Sequence, residues 1–208
     1  MNEFKALHLS SYDFKWVYNV RSLELTEQEH LDRIRTAVIN AVRRRLDADR
    51  PLSYLLSGGV DSSLVCAISQ RILGIPIKTF CCGMKGGTDL KYAKMVADHI
   101  GSIHTEVNFT AEEGVEVIRD VIKATETWDT TTVRASVGQY IVCRHIGVNT
   151  DCKVVLVGEG PDEVCSSYLF NWYAPSGEEL DQASREYVKN IHLFDSRRGD
   201  RCISFWGL

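Results

Sequence analysis

The chain has 208 residues, a length that suits one domain or one domain with a tail. Hydrophobic residues make up 44% and charged residues 25%, which is enough apolar material for a sizeable core. Twenty-four Lys and Arg against 28 Asp and Glu give a net charge of −4, so bulk charge offers no attraction to nucleic acid or to an anionic membrane, and no apolar run approaches the roughly 18 residues of a membrane span.

Seven cysteines, an odd number without any Cys-x-x-Cys spacing, read as reduced core thiols of a cytoplasmic protein rather than as disulfides or zinc ligands. The six His show no metal-ligand spacing. Residues 1–25 mix Tyr12, Phe14, Trp16 and Tyr18 with polar groups and read as an arm or linker, with one domain over 26–208. Thr26 to Glu29 has capping-box form, and Leu31, Ile34, Val38 and Ala41 follow at helical spacing. The basic run Arg43-Arg44-Arg45 suits that helix's C-terminal dipole.

Leu52 to Leu56 reads as a buried strand, followed by a glycine loop, Ser57 to Ser62, and a helix through Leu64, Ile68 and Ile72. Ile77 to Cys82 is the next strand. Asp89 reads as the cap of a helix ending at Gly101, and His104 to Phe109 as a strand. Thr110 to Glu113 is a second capping box, opening one helix through Val117 and Val121. A polar segment, Glu126 to Thr132, precedes a helix over Ala135 to Ile146. Val154 to Val157 is a strand leading into Gly158-Glu159-Gly160-Pro161-Asp162-Glu163. Alternation of this kind predicts an α/β fold, a parallel twisted sheet with helices on both faces. Ligands of such sheets sit beyond the strands' carboxyl ends, where both glycine loops fall.

Ser57-Gly58-Gly59-Val60-Asp61-Ser62-Ser63 carries the sharpest chemistry. Adjacent glycines let an anion approach backbone amides, the following helix offers unpaired N–H groups, and three hydroxyls add donors: a cradle of pyrophosphate size. It is not a Walker A loop, since no Gly-Lys-Ser/Thr follows. The plainer reading is a turn with Asp61 and Ser62 capping the helix.

SGGxDS after a strand resembles the signature of the N-type ATP pyrophosphatases (PP-loop enzymes, with an adenine nucleotide alpha hydrolase-like fold), which cleave ATP between its α and β phosphates. Within that superfamily, Leu55 to Ser63 resembles the LLSGGLDSS of glutamine-dependent asparagine synthetases. Glu126 to Ser136 resembles their ETYDVTTIRAS, and Val157 to Val164 their SGEGSDEVFGGY. Weaker likenesses run from Thr79 to Lys91 and from His192 to Gly207, so that the similarity covers nearly the whole chain from Leu31 on.

The resemblance implies ATP and Mg²⁺ as cofactors, aspartate and ammonia as substrates, and a ligase that forms a β-aspartyl-adenylate. It implies nucleoside contacts at Leu56 and Cys82, phosphate contacts at Ser57, Gly58, Gly59, Ser62 and Ser63, and further cofactor contacts at Val157 and Gly158. Asp61 and Asp162 share Mg²⁺, Arg134 neutralises the departing pyrophosphate, and Glu159 takes a proton from the attacking ammonia. Each has a plainer alternative: helix caps for the two aspartates, a solvated arginine, an ordinary loop glutamate. Val157 and Pro161 stand where the family has serines, and Ser166-Ser167 where it has Gly-Gly. No nucleophilic Cys follows Met1, and Leu208 precedes the family's aspartate-binding segment and pyrophosphate-binding lysine. On that pattern the chain is expected to be incomplete for turnover on its own, with ammonia supplied free or by a separate glutaminase domain or subunit, and with room for a homodimer. The alternatives are a related adenylating ligase of β-lactam-synthetase type and a non-catalytic nucleotide-binding relic.

Overall fold

The computed structural model describes residues 25–191 and 195–208. The arm expected over residues 1–25 lies outside that range except for Leu25, and so do His192 to Phe194. The chain divides into two compact units, Met1–Ala41 and Val42–Leu208. The described part of the first belongs to helix α1, Glu27–Arg45, and its capping box forms as the sequence reads. Thr26 N–H donates to Glu29 Oε2 at 2.8 Å, and Glu29 N–H donates to Thr26 Oγ1 at 3.3 Å.

The second unit is built on four parallel strands: β1 (Leu52–Leu55), β2 (Lys78–Met84), β3 (Ile103–Phe109) and β4 (Val154–Leu156), in the order β3-β2-β1-β4. Between them run α2 (Val60–Leu73), α3 (Thr88–Ile100), α4 (Ala111–Glu116), α5 (Ile118–Thr125) and α6 (Thr130–Asn149). After β4 come α7 (Pro161–Cys165), a 3₁₀ turn at Leu169–Tyr173, α8 (Gly177–Asn190) and α9 (Asp195–Ser204). Strand alternation sorts the core into two layers. Tyr54, Leu56 and Cys81 pack with Cys66, Ala93 and Ala97 of α2 and α3. Leu55, Phe80 and Cys82 face the other way, toward Val121 of α5, Tyr140, Cys143 and Ile146 of α6, and Cys202 of α9. The sheet therefore has helices on both faces, as the alternating pattern predicts. Among the described residues no helix is long and apolar enough to cross a membrane.

Several boundaries differ from the sequence reading, each for a local reason. The polar stretch before α6 is partly helix: Asp129 accepts from Thr132 N–H at 2.8 Å and starts α6 at Thr130. The expected single helix after Thr110 is two, α4 and α5, meeting at Val117. Asp89 does not cap α3; that position is Gly87, without a side-chain cap. Strand β2 continues two residues past Cys82 because β3 pairs with it as far as Met84↔Phe109.

Candidate active site

The chain leaves β1 for β2 and β3 on one side and then crosses back to set β4 on the other side of β1. This reversal opens a crevice between the carboxyl ends of β1 and β4, and the two glycine loops meet there.

The first loop is drawn tight by its own hydroxyls. Ser57 N–H donates to Ser62 Oγ at 3.2 Å, the two serine hydroxyls lie 2.9 Å apart, and Ser62 Oγ donates to Gly59 O at 3.3 Å. No side chain caps the N-terminus of α2 at Gly59, which leaves its first-turn amides for a ligand or for water. Asp61 and Ser62 therefore do not cap the helix. Gly58 has a φ of +84°, and a Cβ there would sit 2.6 Å from the backbone of Tyr92 and Ala93 on α3. At Gly59 a Cβ would meet only Ser57 Oγ, at 3.4 Å.

The second loop leans directly on the first. A Cβ at Gly158 would fall 2.4 Å from Ser62 N and 2.7 Å from Asp61 C, so only glycine allows the approach. Gly160, at φ +104°, opens α7, and Pro161 takes its first turn, where the missing N–H would have had no helical partner in any case. Ser167 Oγ donates to Asp162 Oδ1, and Tyr168 Oη donates to the buried Glu163. Ser166, in the left-handed region at φ 55°, ends α7. Non-glycine residues pay about 1 kcal/mol or more for that conformation, and Gly loses more chain entropy on folding. Ser166→Gly is therefore expected to raise stability by roughly 0.5 kcal/mol, read as a later urea midpoint; an earlier midpoint would mean that the contact with Ser184 Oγ outweighs the backbone strain.

Between the loops lies a cavity of about 310 Å³. Ser57, Gly59 and Ser62 form one end, and Leu55, Phe80, Cys82, Gln139 and Val142 form an apolar wall bearing one amide. Four carboxylates reach it: Asp61, Asp89, Glu159 and Asp162. Glu159 pairs with Arg198 of α9 at 3.5 Å, each side chain about one quarter exposed. The backbone of α9 comes close enough that a Cβ at Gly199 would lie 2.9 Å from Glu159 Oε2. Helix α9 is held there by Tyr140, whose ring lies 5.4 Å from Trp206 and 5.7 Å from Phe205. The Cys82 thiol donates to Gly138 O at 2.9 Å. Burial, with the charge of Asp89 adding to it, pushes that thiol up to about 11, so it is no nucleophile at neutral pH.

Of the residues singled out in the sequence, Leu56, Ser57, Gly59, Asp61, Ser62, Cys82, Val157, Gly158, Glu159 and Asp162 line this cavity together. Gly58 does not line it and instead shapes the loop. Ser63 is also outside the lining, its Oγ buried and without a partner. Arg134 is exposed near the start of α6 and is likewise not part of the wall. Because α6 runs back toward the start of β4, that end of it lies on the crevice side of the sheet. The N–H of Leu56 is committed to Phe80 O at 2.8 Å. Cys82 is not at a strand end; it lies beyond the last β1–β2 pair, Leu55↔Phe80, so its backbone edge toward β1 is open. Asp89, Gln139 and Arg198 were missed. The Asp-Leu pair shortly after β2, in the first turn of α3, could have flagged Asp89; a lone amide within an apolar helical stripe could have flagged Gln139; nothing local marks Arg198.

The cavity fits a nucleotide in size and in its uncapped helix end. Among the described residues there is no group of three or more His, Cys, Asp or Glu that could hold a metal. Asp61, in the first turn of α2, and Asp162, in the first turn of α7, match the donor count of an Mg²⁺ ion carried mainly by substrate phosphates.

A family model described as asparagine synthase matches residues 33–205. Asparagine synthetase (glutamine-hydrolyzing) from Homo sapiens is 45% identical over 174 residues, 81% of this chain and 31% of that protein. The protein of the same name from Gallus gallus is 45% identical over 180 residues, 84% of this chain and 32% of that one. That of Rattus norvegicus is 43% identical over 174 residues, with 81% and 31% covered. The chain thus spans about a third of the length of the curated relatives it matches.

Proposed function

The chain belongs to the asparagine synthase family, and on that premise we propose that its crevice carries out the ATP-dependent, AMP-forming step of asparagine synthesis. The observation that carries the reading is the meeting of the two glycine loops, which sets an uncapped helix N-terminus beside four carboxylates. In this reading the amides of the first loop and of α2 hold the β and γ phosphates, while Leu56, just after β1, and Cys82, within β2, bound the nucleoside, and Val157 and Gly158 complete the nucleotide contacts. Asp61 and Asp162 hold Mg²⁺, which when bound offsets phosphate charge that the four carboxylates would otherwise repel. The aspartate side chain attacks the α phosphorus, forming a β-aspartyl-adenylate and releasing pyrophosphate toward Arg134 at the crevice rim. Ammonia, free or delivered by a glutaminase domain or subunit, then displaces AMP. Glu159, steadied by Arg198, takes the proton lost by the attacking nitrogen.

Exchange of labelled pyrophosphate into ATP, measured with each amino acid in turn and with the family's aspartate-binding segment supplied in trans or by fusion, tests this. Exchange that depends on aspartate is the expected result, retained in Glu159→Gln while asparagine formation from ammonia falls at least about 100-fold. Exchange driven by another amino acid and not by aspartate would move the chain to a different adenylating chemistry. ATP binding without exchange for any amino acid would contradict the catalytic reading.

A further inference from the structure

Two polar side chains in the cavity, Asp89 and Gln139, have no role in the steps above, and Gln139 is the uncharged one. Gln139 lies on α6 next to Tyr140 and three residues before Val142, both buried in the apolar layer. Its side chain lines the cavity, yet its Nε2 is shut off from solvent and has no hydrogen-bond partner. Such a buried orphan donor is uncommon, because each carries an unrecovered desolvation cost. Rotation of the amide about its last bond would turn that donor toward the cavity that the residue lines, where a ligand would supply an acceptor.

The position of the amide indicates which part of a ligand that is. Phosphates are provided for at the other end, by the amides at the start of α2 and the hydroxyls of Ser57 and Ser62. The apolar side chains lining the same cavity include Leu55, Leu56, Phe80, Val142 and Val157, and no Lys or Arg is among the lining residues to receive a carboxylate. An apolar wall with a single amide suits a flat heteroaromatic ring: its faces pack on the side chains and its edge meets the amide. The amide presents one donor edge and one acceptor edge, the pairing by which glutamine reads adenine.

We propose that Gln139 is the base-reading residue of this site, its Nε2 donating to a ring nitrogen of the adenine. This rests on the nucleotide reading of the cavity. The amide then contributes selectivity for the base and leaves the phosphate contacts unchanged.

Calorimetry on the full chain with Mg-ATP, and with the ATP analogues in which N1, N3 or N7 is replaced by C–H, tests it. Gln139→Leu, with its thermal unfolding midpoint checked against the parent, should weaken Mg-ATP binding about 3- to 10-fold. One of the three analogues should bind the parent chain weaker by a similar factor. That difference should vanish in Gln139→Leu, since the two changes remove the same hydrogen bond. Unchanged ATP affinity in the folded variant, or analogue losses that simply add to the variant's, would overturn the role of Gln139 and leave nucleotide binding standing. Failure of the parent chain to bind Mg-ATP would instead overturn the nucleotide reading on which the proposal rests.

Discussion

A Gly58→Ala chain is expected to lose about 2–4 kcal/mol of folding stability. Two independent costs fall on one methyl group. The backbone at φ +84° lies where an L side chain costs about 1–2 kcal/mol. The methyl would also press to 2.6 Å on backbone atoms of Tyr92 and Ala93, and overpacking of that kind costs about 1–3 kcal/mol. Backbone inside a helix cannot swing aside as a flexible side chain would. The measurement is a urea midpoint against the parent chain, and an unchanged midpoint would mean that this loop is not seated against α3. Gly158→Ala separates the two costs: its clash, 2.4 Å to Ser62 N, comes without a positive φ. It should therefore destabilise less than Gly58→Ala, while prying apart the two loops that form the cavity.

Asp61→Ala is expected to remove most of the magnesium dependence of ATP binding, about 10- to 100-fold in affinity at millimolar Mg²⁺. The cavity is lined by four carboxylates and by no Lys or Arg, and Arg198 is engaged with Glu159. A triphosphate entering alone meets like charge, so binding should depend steeply on a divalent cation, which Asp61, at the start of α2, is proposed to share with Asp162. The sign reverses without the metal: in chelator, removing a negative charge should leave ATP binding equal or tighter. Calorimetry with and without Mg²⁺ gives both arms. Equal magnesium dependence in variant and parent would rule out Asp61 as a metal ligand.

Much of this arrangement is legible in the sequence because it depends on local chemistry. Leu52 to Leu56 is apolar, bounded by Pro51 and by Ser57-Gly58-Gly59, and it can be little else than a buried strand entering a tight loop. The Thr110 capping box is likewise written in four residues and forms with both of its hydrogen bonds. What escaped the sequence depends on tertiary pairing. Cys82 reads as a strand end, yet β3 carries β2 on to Met84, while β1 stops pairing at Leu55 and thereby exposes the edge of Cys82. Three consecutive threonines before Val133 read as polar loop until Asp129 is seen to cap them into α6. The contact of Arg198 with Glu159 is set by how α9 docks on α6 through Tyr140, Phe205 and Trp206, which no spacing along the chain encodes. Arg134 shows the converse. Its motif is clear in the sequence, while in the structure it is exposed and outside the cavity wall.

The central claim, that the cavity at the start of α2 is a phosphate cradle for Mg-ATP, is tested most directly at Gly59. Unlike Gly58, this residue has room for a side chain within the fold, with Ser57 Oγ at 3.4 Å as the nearest atom to an added Cβ. A β-branched side chain there would occupy the space in which a phosphate meets the uncapped amides. Calorimetric titration of Mg-ATP into the parent chain and into Gly59→Val is therefore the measurement. The expected result is saturable binding by the parent, and a loss of at least about 100-fold in a variant whose unfolding midpoint stays within about 1 kcal/mol of the parent's. A folded Gly59→Val chain that binds Mg-ATP as the parent does would contradict the account.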